Sequence, residues 1–250
     1  TSFANAGEVS FGYCSPWAAP GIPMKAIKWL FMHHAPLILR PKVDGAMLSW
    51  LVKMLSNCTS ERYAINKSRM LRLADYSRIS LAQVREETGI AYDERMQGTL
   101  QLFRTHHQLD ASAKDVKALA ADGIPYEVLD HAETKRRLPA IGKDVVGSLY
   151  SPLDGHVNSL KLFRALREAT VRRGVDYRPN SPVESIVPKD GGFAITGPWG
   201  EMRAGKVVLC AGLGNARLAS MVGLDAPVKP SKGQIIVTEK TEPFLHNPMV

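Results

Sequence analysis

Few side chains in this 250-residue chain are arranged to do chemistry by themselves. The stretch with the most chemical content is 206–223, KVVLCAGLGNARLASMVG. Residues 207–211 form an unbroken apolar run, the pattern of a strand buried on both faces. Ala211 closes the run, and Gly212 and Gly214 follow at once. Residues 215–222 then read as a helix that Gly223 would end. Strand, glycine turn and helix together bring bare backbone close to a nucleotide phosphate. A second candidate is Asn5-Ala6-Gly7, which is either a plain connector or a turn whose backbone amides suit an anion or a planar ring. A third is His156, in a loop that precedes a helix start at Asn158. It is either structural or aimed at a substrate carboxylate.

Two readings of the glycine turn stay open. Arg217 stands where a dinucleotide fingerprint has its third glycine, and no acidic residue ends a following strand some 20 residues on. The turn is either part of a nucleotide site or an ordinary tight connection between strand and helix. Elsewhere there is no Ser-His-Asp order, nucleophile elbow, Walker loop or metal-ligand spacing. This absence fits an enzyme in which a bound cofactor carries the hard step.

The composition bounds the rest. Hydrophobic residues make up 45% and charged residues 22%, enough for one large or two small globular domains. The net charge is +8, but the basic residues are dispersed, which argues against nucleic acid and for a weak pull toward anionic lipid or ligands. Cys14, Cys58 and Cys210 are far apart, the usage of a reducing compartment, with no zinc or iron–sulfur spacing. No apolar run reaches membrane-spanning length, and no signal peptide is visible.

Several elements must position these residues. A Gly- and Pro-rich loop covers 1–23. Residues 24–35 and 44–58 read as amphipathic helices that face either the protein's own core or a membrane surface. The pair His33-His34 cannot chelate from one helix face. A long helix is expected over 60–88, capped by Ser60, ended by Gly89, and buried along Leu71, Ala74, Leu81 and Val84. Strands are expected over 98–105, 126–129 and 147–150, with His106-His107 in a loop and a helix over 110–121. Asp130 should cap a helix ending before Pro139, and Asn158 a helix over 159–173 with Leu160, Phe163, Leu166 and Ala169 inward. Short strands are expected over 175–178, 182–187, 192–196 and 201–204.

The N-terminal motifs TSFANAG (1–7) and SFGYCSPWAAPGIPMKAIKW (10–29), continuing through Ile90 to GTLQLFRT (98–105), resemble the family of bacterial D-amino-acid dehydrogenase small subunits, among the D-amino-acid oxidase-like flavoproteins. HAETKRRLPAI (131–141) resembles a segment common in that superfamily. VKPSKGQIIVT (228–238) resembles its returning Pro-x-x-Gly-Gln strand. DGHVN (154–158) looks instead like relatives that oxidise glycine, hydroxyproline or other amines.

The resemblance implies an α/β fold: a split Rossmann-like FAD-binding domain (1–23 and 153–226) with an interleaved α+β substrate domain (24–152 and 227–250) of antiparallel sheet and helices. It implies an internal piece of a longer bacterial flavoenzyme, lacking the first glycine-fingerprint strand and the C-terminal flavin-contacting segment. The implied reaction oxidises the Cα–N bond of a D-amino acid by hydride transfer to FAD, giving a 2-oxo acid and ammonia, with a respiratory quinone as acceptor. The implied location is the cytoplasm or the inner face of the inner membrane, with peripheral contact through 24–58. Ser2, Asn5, Ala6, Gly7, Val183, Ala211, Gly212, Gly214 and Gly233 would meet the cofactor. Tyr13, Arg104 and His156 are the candidates for the substrate carboxylate, because guanidinium and hydroxyl groups match its oxygens. A competing expectation is a non-catalytic subunit or truncated product that binds no cofactor.

Overall fold

The computed structural model describes residues 5–12, 14–30, 45–120, 125–228 and positions 239, 242, 245 and 249. Ser2, Tyr13, Gly233, the His33-His34 pair and the expected strand over 228–238 (all but Val228) lie outside the described residues. The chain divides into two compact units, Thr1–Leu166 with Lys240–Val250, and Arg167–Glu239.

The first unit is organised by a three-stranded antiparallel sheet of β2 (Thr99–Phe103), β4 (Gly147–Ser151) and β3 (Glu127–Asp130), with β4 central. Thr99 pairs with Ser151 at one end of the β2–β4 ladder and Phe103 with Gly147 at the other. Helices α4 (His106–Ala120) and α5 (His131–Arg137) pack against this sheet. Leu100, Leu129 and Leu138 form its buried centre, with Leu102, Ile141, Tyr150 and Leu245 against it. Each such leucine contributes about 1.5–3 kcal/mol when fully buried. Thr134 of α5 ties down to the sheet through a 2.9 Å hydroxyl contact with Ser148.

Local chemistry sets the helix bounds. Asp130 caps α5 by accepting the Glu133 amide at 2.7 Å, and Arg137 is its last residue, ahead of Pro139. Asn158 caps α6 (Ser159–Arg172), accepting the Lys161 amide at 3.1 Å. The long helix α3 (Ser60–Thr88) stops at Gly89, as expected, but Thr59 rather than Ser60 caps it, its side chain accepting the Arg62 amide at 3.2 Å. Its stripe of Leu71, Ala74, Leu81 and Val84 is half-buried, and none of its residues is fully buried. Ahead of α3 lie α1 (Ile22–Leu30) and α2 (Gly45–Ser56).

Other expectations are corrected. His106 and His107 begin α4 rather than lying in a loop. Thr105 accepts the Gln108 amide at 3.3 Å and its hydroxyl meets Gln108 Oε1 at 3.0 Å, a capping pair that starts the helix four residues before Asp110. Phe163 is exposed on α6, while Leu160, Leu162, Ala165, Leu166 and Ala169 are its more buried positions.

The second unit carries an antiparallel meander of β6 (Ser185–Lys189), β7 (Gly192–Gly197) and β8 (Gly200–Ala204). A single turn of 3-10 helix at Gly212–Gly214 leads into α7 (Asn215–Ser220). Residues 175–178 form no strand; Asp176 and Arg178 pair locally instead. Nor do residues 207–211, and Val208 is 83% exposed. A strand exists only where a neighbouring chain completes its backbone hydrogen bonds. No strand among the described residues pairs with this run, and Val207 and Leu209 are only half-buried.

Candidate functional site

In the first unit, one five-residue segment, 154–158, holds two others in place. It contains β5 (Gly155–His156), which pairs antiparallel with β1 (Glu8–Val9): Glu8 faces His156 and Val9 faces Gly155. On its other side His156 exchanges backbone hydrogen bonds with Arg95, at 2.9 and 3.0 Å. Asn158 donates its amide to the Tyr92 carbonyl at 3.0 Å, and Gly98 donates to the Asp154 carbonyl at 2.9 Å. His156 therefore sits on the central strand of a small ladder, between the N-terminal loop and the segment before β2.

The loop is fitted to this ladder closely. The Val157 amide donates to the Gly7 carbonyl at 2.7 Å, and the Gly7 amide is taken by Asn5 Oδ1 at 2.7 Å. Gly7 has φ of +67°, and a Cβ there would lie 2.2 Å from the Val157 carbonyl oxygen. Only glycine meets both conditions. Asn5 and Ala6 beside it are exposed. Gly12 donates its amide to Asp154 Oδ1 at 2.7 Å, and the Tyr126 hydroxyl donates to the Gly12 carbonyl.

The electrostatics are distinct at each position. His156 has its pKa lowered, first by burial and then by the charge of Arg95, so its imidazole is neutral at pH 7. Its Nδ1 is buried and meets no hydrogen-bond partner among the described residues, as is true of Ser10 Oγ, Thr99 Oγ1, Ser151 Oγ and Asp154 Oδ2. Buried polar atoms of this kind call for a water or a ligand group. Burial, and then Asp154, raise the pKa of the Cys14 thiol, keeping it protonated. Hydrogen bonds hold the pKa of Asp93 down, with Lys161 foremost, and that of Glu94 down through backbone amides.

Arg104 is not brought to this ladder. It follows Phe103, at the end of β2 opposite Thr99, is 80% exposed and pairs with Asp144 at 3.2 Å.

In the second unit the glycine turn and Val183 are brought together. Arg217 donates from Nη2 to the Val183 carbonyl at 2.7 Å, and Asn215 Oδ1 accepts the Ala211 amide at 2.7 Å. Gly212 has φ of +57° with open space where a Cβ would stand, and Gly214 follows within the same turn. The arginine in the third-glycine position thus has a structural partner. Within this unit, the bare backbone at Gly212 is a feature that a nucleotide fits; within the first unit, the orphaned buried atoms of His156 and Ser10 have room in their bonding for a polar ligand group.

Sequence reading missed Asp154, Tyr126 and Arg95. Asp154 stood inside the quoted DGHVN motif, beside the histidine that drew attention. Tyr126 and Arg95 act across more than 60 residues of sequence, and nothing local marks them.

The family model described as FAD dependent oxidoreductase matches residues 1–249. The chain is 59% identical over 247 residues to a D-amino acid dehydrogenase of Rhizobium rhizogenes, covering 97% of this chain and 59% of that protein. It is 45% identical to a D-amino acid dehydrogenase of Rhizorhabdus wittichii, over 97% of the chain and 59% of the relative. The chain therefore spans about three fifths of the length of these relatives. Among solved structures it resembles a glycine oxidase from Geobacillus kaustophilus, with TM-score 0.56 and 27% identity over 62% of this chain and 43% of that one. An L-amino acid deaminase from Proteus myxofaciens shares the fold at TM-score 0.56 and 19% identity, over 63% of this chain and 36% of the other.

Proposed function

Because the chain belongs to the DAO family of FAD-dependent oxidoreductases, we propose that it is part of an enzyme that oxidises the Cα–N bond of D-amino acids. The reaction takes a D-amino acid, water and an oxidised acceptor to a 2-oxo acid, ammonia and the reduced acceptor. The observation that carries this reading is the 59% identity, across nearly the whole chain, to a D-amino acid dehydrogenase. FAD, when bound, supplies the acceptor for the hydride that leaves Cα.

This chain's residues would bind and orient. The backbone at Ala211, Gly212 and Gly214 suits the approach of a nucleotide, and the Arg217 bond fixes the carbonyl side of Val183 beside it. Asn5, Ala6 and Gly7 form a tight turn on the β5 ladder, with Ser2 and Gly233 as further cofactor contacts implied by the family resemblance. The proposed cofactor-binding part comprises 1–23 and 153–226, and the substrate part 24–152 and 227–250. His156, neutral at pH 7, is suited to orient the substrate by a hydrogen bond rather than to neutralise its carboxylate. Tyr13 is proposed for the carboxylate. Arg104, distant and paired with Asp144, is the weakest of the three candidates.

A membrane-side acceptor is the second part of the proposal. Met24 and Ile27 of α1, and Leu48, Val52 and Leu55 of α2, are exposed. The same helices carry Lys25, Lys28 and Lys53 and no acidic residue. An apolar face beside lysines suits the surface of an anionic membrane, where a respiratory quinone would take the electrons. No helix among the described residues is long and apolar enough to cross a membrane.

A second substrate reading is oxidation of glycine or a related amine, favoured by the likeness to the glycine oxidase structure at 27% identity. Steady-state assays of the FAD-loaded full-length protein with D-alanine, L-alanine, glycine and hydroxyproline, using a quinone analogue as acceptor, separate the readings. Turnover of the D-amino acid is expected. A preference for glycine or hydroxyproline would replace the first reading with the second.

A further inference from the structure

We propose that Asp154 is a positioning residue for the site, resting on the flavoenzyme reading above: it closes both ladders flanking His156 and holds the N-terminal loop in the register the cofactor and substrate require. Asp154 is wholly buried, at 0% exposure. Its carboxylate accepts the Gly12 amide at 2.7 Å across 142 residues of sequence, and its main-chain carbonyl accepts the Gly98 amide at 2.9 Å. The first bond ends the pairing with β1 and the second ends the pairing with the Arg95 segment. Both lie at the same end of β5, two residues from His156.

Gly12 is held from both sides. Its amide goes to Asp154, its carbonyl receives the Tyr126 hydroxyl, and a Cβ at Gly12 would lie 2.4 Å from Ser151 Oγ. Two side chains from remote elements thus fix one peptide of the loop. At its other end the loop is held by the bond between Gly7 and Val157. With both ends fixed, displacement of Gly12 shifts β1 along β5, and with it the surroundings of the His156 ring. A carboxylate is costly to bury, and of its two oxygens Oδ1 takes the Gly12 amide while Oδ2 is buried without a hydrogen bond among the described residues. Its presence here marks a place where geometry is closely specified.

The test uses the FAD-loaded full-length protein with Asp154→Asn, Asp154→Ala and Tyr126→Phe, reading FAD affinity, melting temperature and the His156 imidazole resonances by NMR. Asp154→Ala removes a hydrogen bond to a charged acceptor, so FAD affinity is expected to fall about tenfold or more. Asp154→Asn keeps an acceptor for the Gly12 amide and is expected to restore affinity to within about threefold of the parent. Tyr126→Phe removes the hydroxyl that donates to the Gly12 carbonyl. It should shift the His156 resonances and weaken FAD binding while leaving the fold intact, which keeps the test open if Asp154→Ala does not fold. The proposal is overturned if the folded variants melt earlier yet bind FAD as the parent does with unmoved His156 resonances. It is also overturned if asparagine fails to rescue. A parent protein that binds no FAD would defeat the flavoenzyme reading instead, and the His156 resonances and Gly12 amide exchange would still judge the clamp.

Discussion

At the residue scale, His156 offers a pH signature. Its folded pKa lies below the ordinary value of 6.5, through burial and then Arg95. Above that value the group is neutral in both states and contributes nothing. As pH falls through 6.5, the unfolded chain binds the proton first, so stability declines until the folded group also protonates. The depressed carboxylates Asp93 and Glu94 act at lower pH, losing their contribution as they protonate. Denaturant unfolding measured between pH 7 and about pH 5 should show this decline in the parent and a flatter profile in His156→Gln. An equal slope in both would remove His156 as its source. Gly7 offers a steric test. Gly7→Ala imposes both a positive φ and a 2.2 Å clash with the Val157 carbonyl, so a loss of about 2 kcal/mol or more is expected in equilibrium unfolding. A loss under about 0.5 kcal/mol would mean that the loop is not seated on β5.

At the element scale, what sequence revealed follows from where the determinants lie. Helix ends set by a neighbouring side chain were legible: Asp130 and Asn158 cap where expected, and Gly89 stops α3. The start of α4 was misplaced because Thr105 closes an apolar alternating run, LQLF, that reads as strand to its end. Only its partnership with Gln108 reveals it as a cap. Thr105→Ala should therefore cost about 1 kcal/mol in unfolding free energy, and a neutral result would show the cap to be idle. The β-elements divide in the same way. Residues 99–103 found β4 and formed a strand, whereas 207–211 found no partner strand among the described residues. Periodicity reports which side chains would be buried, but pairing depends on chain far away. For the same reason the glycine turn was readable, and its Arg217 link to Val183, 34 residues distant, was not.

At the scale of the whole molecule, each of the two units carries its own candidate residues. The His156 ladder belongs to the first, the Val183 and Gly212 region to the second. Charge and exposed apolar surface on α1 and α2 make a separate prediction. The protein should float with vesicles rich in anionic lipid and not with neutral ones. Lys25→Glu with Lys28→Glu should weaken that binding by about 1 kcal/mol for each lysine lost. Equal flotation on neutral vesicles, or none at all, would remove the membrane contact. The most direct test of the account is anaerobic mixing of the FAD-loaded full-length protein with D-alanine or L-alanine while the visible flavin band is recorded. The account predicts bleaching by the D-enantiomer and little by the L-enantiomer. A band unchanged by any amino acid, or a protein that takes up no flavin, would contradict it.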